Sequence, residues 1–110
     1  MTDRLMRDGR VAVLYSPGHG AGWSTWCHSE DGTAEAMMFD PVIADIVDQA
    51  APDWQDRAME VAMIKYPDQY LRGLEDAQVA WLLLGTQFRI TEYDGSESIE
   101  IKDDIAWYQA

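Results

Sequence analysis

One glycine-rich segment, residues 16–26, holds most of the side chains whose types and spacing could do chemistry. Glycines at alternate positions let a backbone turn tightly and approach a ligand, and successive N–H groups in such a loop can bind an anion. Hydroxyl groups add donors, and an indole ring can stack on a base. The predicted ligand-binding residues in it are Ser16, Gly18, His19, Gly20, Gly22, Trp23, Ser24, Thr25 and Trp26. The alternative interpretation is a tight structural connection whose tryptophans fill the core.

This segment matches no phosphate-binding motif of a known enzyme class. No lysine follows the glycines, and their spacing is not that of a dinucleotide fingerprint. The chain contains only His19, Cys27 and His28 as His and Cys residues. Cys27 and His28 are neighbours and point in different directions on any regular element, so we expect neither a nucleophile pair nor a metal site. The sequence therefore predicts a protein that is not an enzyme and that uses no metal or cofactor.

A second group of charged residues lies in a predicted β-hairpin around Asp94-Gly95, a strong turn signal. With these two residues in the turn, Glu92 faces Glu97, which is mildly destabilising unless a cation or a basic partner intervenes. Arg89 faces Glu100 and either pairs with it or holds an anion with its planar guanidinium. As a ligand contact, Arg89 would offset the negative charge of a phosphate. The carboxylates at the tip are either solvated or in contact with a partner, and a catalytic role is the third alternative.

The charge of the chain restricts its partners. The net charge is −12, which argues against direct nucleic-acid binding because phosphate contacts need clustered Lys and Arg. From Val11 to Asp56 there is no Lys or Arg, whereas eight Asp and Glu residues lie there. This stretch is either a solvated acidic face or a surface that docks on a basic protein or mimics DNA.

The surrounding patterns predict the elements that position these residues. Residues 1–9 look like a loosely ordered polar leader, and 10–110 like a single α+β domain. Residues 10–15 are predicted to be a strand, because 11–15 form an apolar run typical of a central strand covered on both faces. Residues 18–32 look like a loop. Asp40-Pro41 predicts a helix start, a second helix should stop before Pro67, and 68–73 could add a helical turn. We expect strands at 78–84 and in the hairpin, with a last one at 105–108.

Together these elements predict a small mixed or antiparallel sheet with two or three helices packed on one face. The lone Cys27 excludes an intrachain disulfide and fits a cytoplasmic protein. The longest strongly apolar run, residues 79–84, is far shorter than the ~20 residues that span a bilayer, so we expect no membrane partner.

Residues 11–26 (VAVLYSPGHGAGWSTW) and 85–99 (GTQFRITEYDGSESI) resemble a group of small accessory proteins from bacteriophage genomes. That group pairs a YSPG-GAGWSTW stretch near the start with a G-FRI-EYDGSE hairpin near the end. The resemblance implies a counter-defence role: some such proteins sequester nucleotide-derived immune signals, and others block a host protein. It also implies a homo-oligomer, and it links the loop and the hairpin as two parts of one site.

Two functional hypotheses follow. The leading one is a non-catalytic protein in the host cytoplasm that binds and sequesters a nucleotide-derived small molecule. In it, loop N–H groups hold the phosphate, Trp23 and Trp26 stack on the base, and Arg89 offsets charge. The alternative is an acidic protein inhibitor or DNA mimic that binds a basic host protein.

Overall fold

A computed structural model describes residues 3–18, 20–29 and 31–102. Its strands and helices, in chain order, are β1 (Met6–Arg7), β2 (Arg10–Tyr15), α1 (Thr33–Phe39), α2 (Pro41–Gln49), α3 (Trp54–Lys65), β3 (Gln78–Leu83), β4 (Phe88–Tyr93) and β5 (Ser96–Ile101). Two short 3₁₀ turns lie at Ser24–Trp26 and Arg72–Asp76. The strands form a three-stranded sheet in the order β1-β2-β3 and a separate β4-β5 hairpin, and every pairing is antiparallel. The predicted α+β class is therefore confirmed.

The β2 strand lies between two layers. Ala12 and Leu14 belong to the main core, with α2, α3 and Trp23, whereas Val11 and Val13 pack with Phe39 and the hairpin on the other side. All four residues are buried. The continuous apolar run of β2 predicted this burial on both faces, since neither side of the strand meets water.

Asp40 starts α2 and also connects α2 to α3. Its carboxylate accepts hydrogen bonds from the Val42 and Ile43 N–H groups at 3.0 Å, with Pro41 at the first helical position, as predicted. The same carboxylate accepts from Lys65 Nζ at 3.0 Å and from the Tyr66 hydroxyl at 2.7 Å. Burial raises the pKa of Tyr66 well above its usual range, and the hydrogen bond to Asp40 and the charge of Asp40 add to the rise.

The β4–β5 hairpin has the predicted register. Its facing pairs run from Phe88–Ile101 to Tyr93–Ser96, with Asp94 and Gly95 in the turn. Both turn residues have positive φ, 54° and 86°, which is the geometry that selects an Asp-Gly turn.

Other local predictions need correction. Residues 3–9 are not a loose leader, because Met6–Arg7 pairs with β2 and Leu5 packs against the core. Helix α1 was not predicted; Asp31 accepts hydrogen bonds from the Thr33 hydroxyl and N–H at its start, and these bonds lower the pKa of Asp31. The helical turn predicted at 68–73 lies instead at Arg72–Asp76. The strand predicted at 105–108 falls outside the described residues.

Candidate functional site

The glycine-rich segment and the hairpin tip contact each other. β2 ends at Tyr15, and the chain then passes under the tip, where the Glu97 N–H donates to Ser16 O at 2.7 Å. The Ser96 hydroxyl donates to Pro17 O at 2.8 Å, and the Gly20 N–H donates to Asp94 O at 3.3 Å. The expected meeting of the two segments is thus present in the structure.

Glu97 fills the anion-binding loop from inside the molecule. Its side chain is buried, and its carboxylate accepts hydrogen bonds from the N–H groups of Ser16 (2.8 Å), Trp23 (2.8 Å) and Thr25 (3.1 Å). The Thr25 hydroxyl is a fourth donor, at 2.5 Å. The four hydrogen bonds to this carboxylate are charge-assisted, and they offset the free-energy cost of burying its charge. N–H groups of the loop therefore do bind an anion, but they are not successive as the sequence suggested, and Glu97 makes them unavailable to a ligand phosphate.

The same packing explains two of the glycines. A Cβ atom on Gly22 would lie 2.6 Å from Thr25 Oγ1 and 2.7 Å from Trp26 Cδ1. On Gly95 it would lie 2.5 Å from the Ala21 backbone nitrogen. Gly22 is itself buried, so it brings the backbone close to Glu97 and its donors rather than to a ligand. Gly18 is half-buried beside Asp76, and Gly20 is exposed.

Trp23 is a core residue and cannot stack on a ligand. It is fully buried, its indole N–H donates to Met37 O at 2.8 Å, and its ring meets Tyr66 edge-on at 6.1 Å between centroids. The prediction that Trp23 stacks on a base is therefore wrong, because no face of the ring reaches solvent.

The hydroxyl groups of Ser16 and Ser24 are also buried inside the protein. The buried Ser16 hydroxyl donates to Ala21 O at 3.2 Å. The Ser24 hydroxyl is buried and has no hydrogen-bond partner among the described residues. His19 lies outside the described residues.

Arg89 lies away from the loop and is paired. Its guanidinium makes two hydrogen bonds of 3.1 Å to Glu100 on the exposed side of the hairpin, opposite the side on which Phe88 and Ile90 pack. It is five residues from Asp94, which is about 17 Å along an extended strand. Of the two interpretations of Arg89, the structure shows the pair with Glu100.

Trp26 is the predicted aromatic residue that remains partly accessible. Its ring lies 5.5 Å from that of Tyr70, which is exposed. Trp26 lines a cleft of about 530 Å³ together with Gly20, Glu92, Asp94 and Gly95. Tyr70 lines a neighbouring cleft of about 290 Å³ together with Gly20, Ala21, Arg72, Glu75 and Asp76.

We call this region the loop–hairpin surface, and its members are Gly20, Trp26, Tyr70, Arg72, Glu75, Asp76, Glu92 and Asp94. It carries four carboxylates and one guanidinium. Glu92 also accepts a hydrogen bond from the Gly95 N–H at 2.6 Å, and Glu97 points into the loop, so no cation is needed between these two glutamates. Sequence reasoning missed the contribution of residues 70–76, because they follow α3 with no motif of their own.

In the described part of the chain, Cys27 and His28 make separate contacts. The Cys27 thiol donates to Ser29 O at 3.7 Å, and the backbone N–H of the exposed His28 donates to the Gln69 side chain. Within residues 3–18, 20–29 and 31–102, no group of three His, Cys, Asp or Glu side chains is arranged to hold a metal ion. No helix in the described part of the chain combines the length and the apolar character needed to cross a membrane.

Comparison of the chain with protein-family models, with curated proteins and with solved structures finds no match in any of the three.

Proposed function

We propose that this chain is a non-catalytic binding protein that docks a basic segment of a partner protein on the loop–hairpin surface. The observation that carries the proposal is the combination of two accessible aromatic rings, Trp26 and Tyr70, with four surrounding carboxylates. Aromatic faces attract guanidinium and ammonium groups, and neighbouring carboxylates can bind the same groups through hydrogen bonds. An Arg or Lys side chain is thus the ligand that this chemistry suits best.

The charge of the whole chain favours the same class of partner. A net charge of −12 attracts a basic protein over a distance and speeds its association, and it repels phosphate ligands. The loop N–H groups that would have held a phosphate are bound to Glu97, and Arg89 is bound to Glu100. These contacts remove most of the support for phosphate recognition.

The docking surface differs from the acidic stretch 11–56 that the sequence suggested. Many carboxylates of that stretch are paired within the molecule: Asp40 with Lys65, Asp45 and Asp48 with Arg7, and Glu35 with Arg4. The loop–hairpin surface has four carboxylates around a single cation, Arg72. The resemblance to phage accessory proteins makes the proposal more specific: the partner is a basic host protein in the cytoplasm, and docking inhibits it.

A matched pair of double variants tests the proposal. Glu75→Gln with Asp76→Asn removes two charges from the surface. Asp53→Asn with Glu60→Gln removes two exposed charges elsewhere, one just before α3 and one on it. The probe is a fluorescein-labelled nona-arginine peptide, followed by anisotropy at about 50 mM and about 200 mM salt. We expect the first double variant to weaken binding about tenfold, which is about 1.4 kcal/mol, and the second less than about twofold. Equal weakening by both would mean that only net charge matters, and the proposed surface would be wrong.

A nucleotide-like ligand is the second candidate. The observation in its favour is that Trp26 and Tyr70 offer ring faces near Arg72, the one cation on the surface. A thermal shift with cyclic dinucleotides and NAD derivatives at about 0.1 mM checks it, since a ligand that binds the folded state raises the melting temperature. Loss of the shift in Trp26→Ala, with the fold retained, would favour this candidate over the first.

A further inference from the structure

We propose that the outer edge of β3 pairs with the same edge of a second copy, which gives an antiparallel, two-fold symmetric homodimer. This inference is independent of the proposed function. In the sheet order β1-β2-β3, β3 lies at the edge, and β2 is its only strand neighbour in the described part of the chain.

The ladder shows which backbone groups reach this edge. The Leu84 N–H donates to Gly9 O at 2.9 Å, which makes Gly9 and Leu84 a hydrogen-bonded pair. Hydrogen-bonded and non-bonded pairs alternate in an antiparallel ladder, so Val79, Trp81 and Leu83 direct their N–H and C=O groups outward.

The β1–β2 pairing agrees with this alternation. The Ala12 N–H donates to Leu5 O at 2.9 Å, so Ala12 faces β1 and its neighbours Val11 and Val13 face β3. Among the described residues, one hydrogen bond reaches the outward groups of β3: Arg10 Nη1 donates to Trp81 O at 3.4 Å. The Arg10 side chain is exposed and can release this bond.

The β3 edge lacks the features that protect other edges. Edge strands of monomers are usually short or carry charges or proline. β1 has two residues, one of them Arg7, and the hairpin strands carry charged side chains. By contrast, residues 77–88 contain no charged residue and no proline, and Leu83 and Leu84 are 57% and 62% exposed.

A second copy is the occupant that the charge distribution favours. Two copies with a net charge of −12 repel each other, so contact through a stretch without charged residues, such as 77–88, is less unfavourable than contact through an acidic surface. A two-fold axis at Trp81 pairs it with the partner's Trp81, and Val79 with the partner's Leu83. All three outward residues are then bonded, as a self-complementary interface requires.

Sedimentation velocity over a range of concentrations tests the pairing. We expect the wild-type chain to form dimers, and Leu83→Lys to raise the dimer dissociation constant at least about tenfold. Ile64→Lys is the control, because Ile64 is apolar, exposed and on α3. Both variants change the net charge by the same amount. A loss of dimer in Leu83→Lys alone must therefore arise at the β3 edge and not from the change in net charge. A wild-type chain that stays monomeric at about 0.5 mM overturns the proposal, as does equal dissociation of both variants.

Amide hydrogen exchange gives a second readout that folding defects do not imitate. We expect the Val79, Trp81 and Leu83 amides to be protected at high concentration and to exchange on dilution, whereas the Ala80 and Leu82 amides stay protected in both. Protection of all five amides in a monomer would mean that another part of the same chain covers the edge, and the dimer would be excluded.

Discussion

Glu97 determines what the glycine-rich loop can do. The residue types of that loop predict bound negative charge, and the structure contains it, but the anion is a side chain of the same molecule. No local pattern identifies this acceptor, because Ser16 and Glu97 are 81 positions apart. The sequence placed Glu97 opposite Glu92 correctly, but the direction of its side chain depends on tertiary packing.

Loss of the Glu97 charge should be costly. Glu97→Gln keeps the size of the side chain but replaces charged hydrogen bonds by neutral ones, and its amide NH₂ faces donors. We expect a loss of about 1.5–3 kcal/mol in the free energy of unfolding, measured by urea denaturation. Glu100→Gln, on the exposed side of the same strand, should cost less than about 1 kcal/mol. Equal losses would mean that the buried carboxylate has no special structural role.

Among the elements, those defined by short-range chemistry were predictable. The Asp-Gly turn fixed the register of β4 and β5, and Asp40-Pro41 fixed the start of α2. Helix α1 and strand β1 were not predictable, because neither gives a clear hydrophobic period. Helix α1 has seven residues with two buried side chains, and β1 has only two residues, both exposed. Their positions depend on tertiary contacts. In α1, for example, the Met37 carbonyl oxygen accepts a hydrogen bond from the Trp23 indole N–H.

The α2–α3 connection predicts a dependence of stability on alkaline pH. The pKa of Tyr66 is raised in the folded state above its ordinary 10.0, so the contribution of Tyr66 is complete below pH 10.0 and is lost as pH rises further. We expect Tyr66→Phe to cost about 1.5–3 kcal/mol at neutral pH, because the hydrogen bond to Asp40 is lost. Its stability should also fall less steeply above pH 10.0 than that of the wild type.

Thermal unfolding between pH 7 and 11 measures the Tyr66 effect. Tyr93→Phe is the control, because Tyr93 is 86% exposed, and its profile should follow the wild type. If Tyr66→Phe and the wild type lose stability in parallel above pH 10.0, the link through Asp40 does not contribute.

For the whole molecule, charge repulsion is the dominant electrostatic feature. The chain has 20 acidic and 8 basic residues, and the ion pairs of the described residues leave most carboxylates without a cation. Salt screens the repulsion over about 10 Å at 0.1 M. We expect the melting temperature to rise about 3–6 °C when salt is increased from about 0.01 to about 0.15 M. A fall would mean that the ion pairs outweigh the repulsion.

The Glu97 carboxylate also has a consequence for the order of folding. Trp23 and Glu97 are 74 positions apart, so the loop can reach its final conformation only after a long closure that brings the hairpin back to β2. During synthesis, the loop amides emerge from the ribosome well before their acceptor does. We therefore expect local helices α2 and α3 to form early, and the loop to close late, with a rate governed by its high contact order.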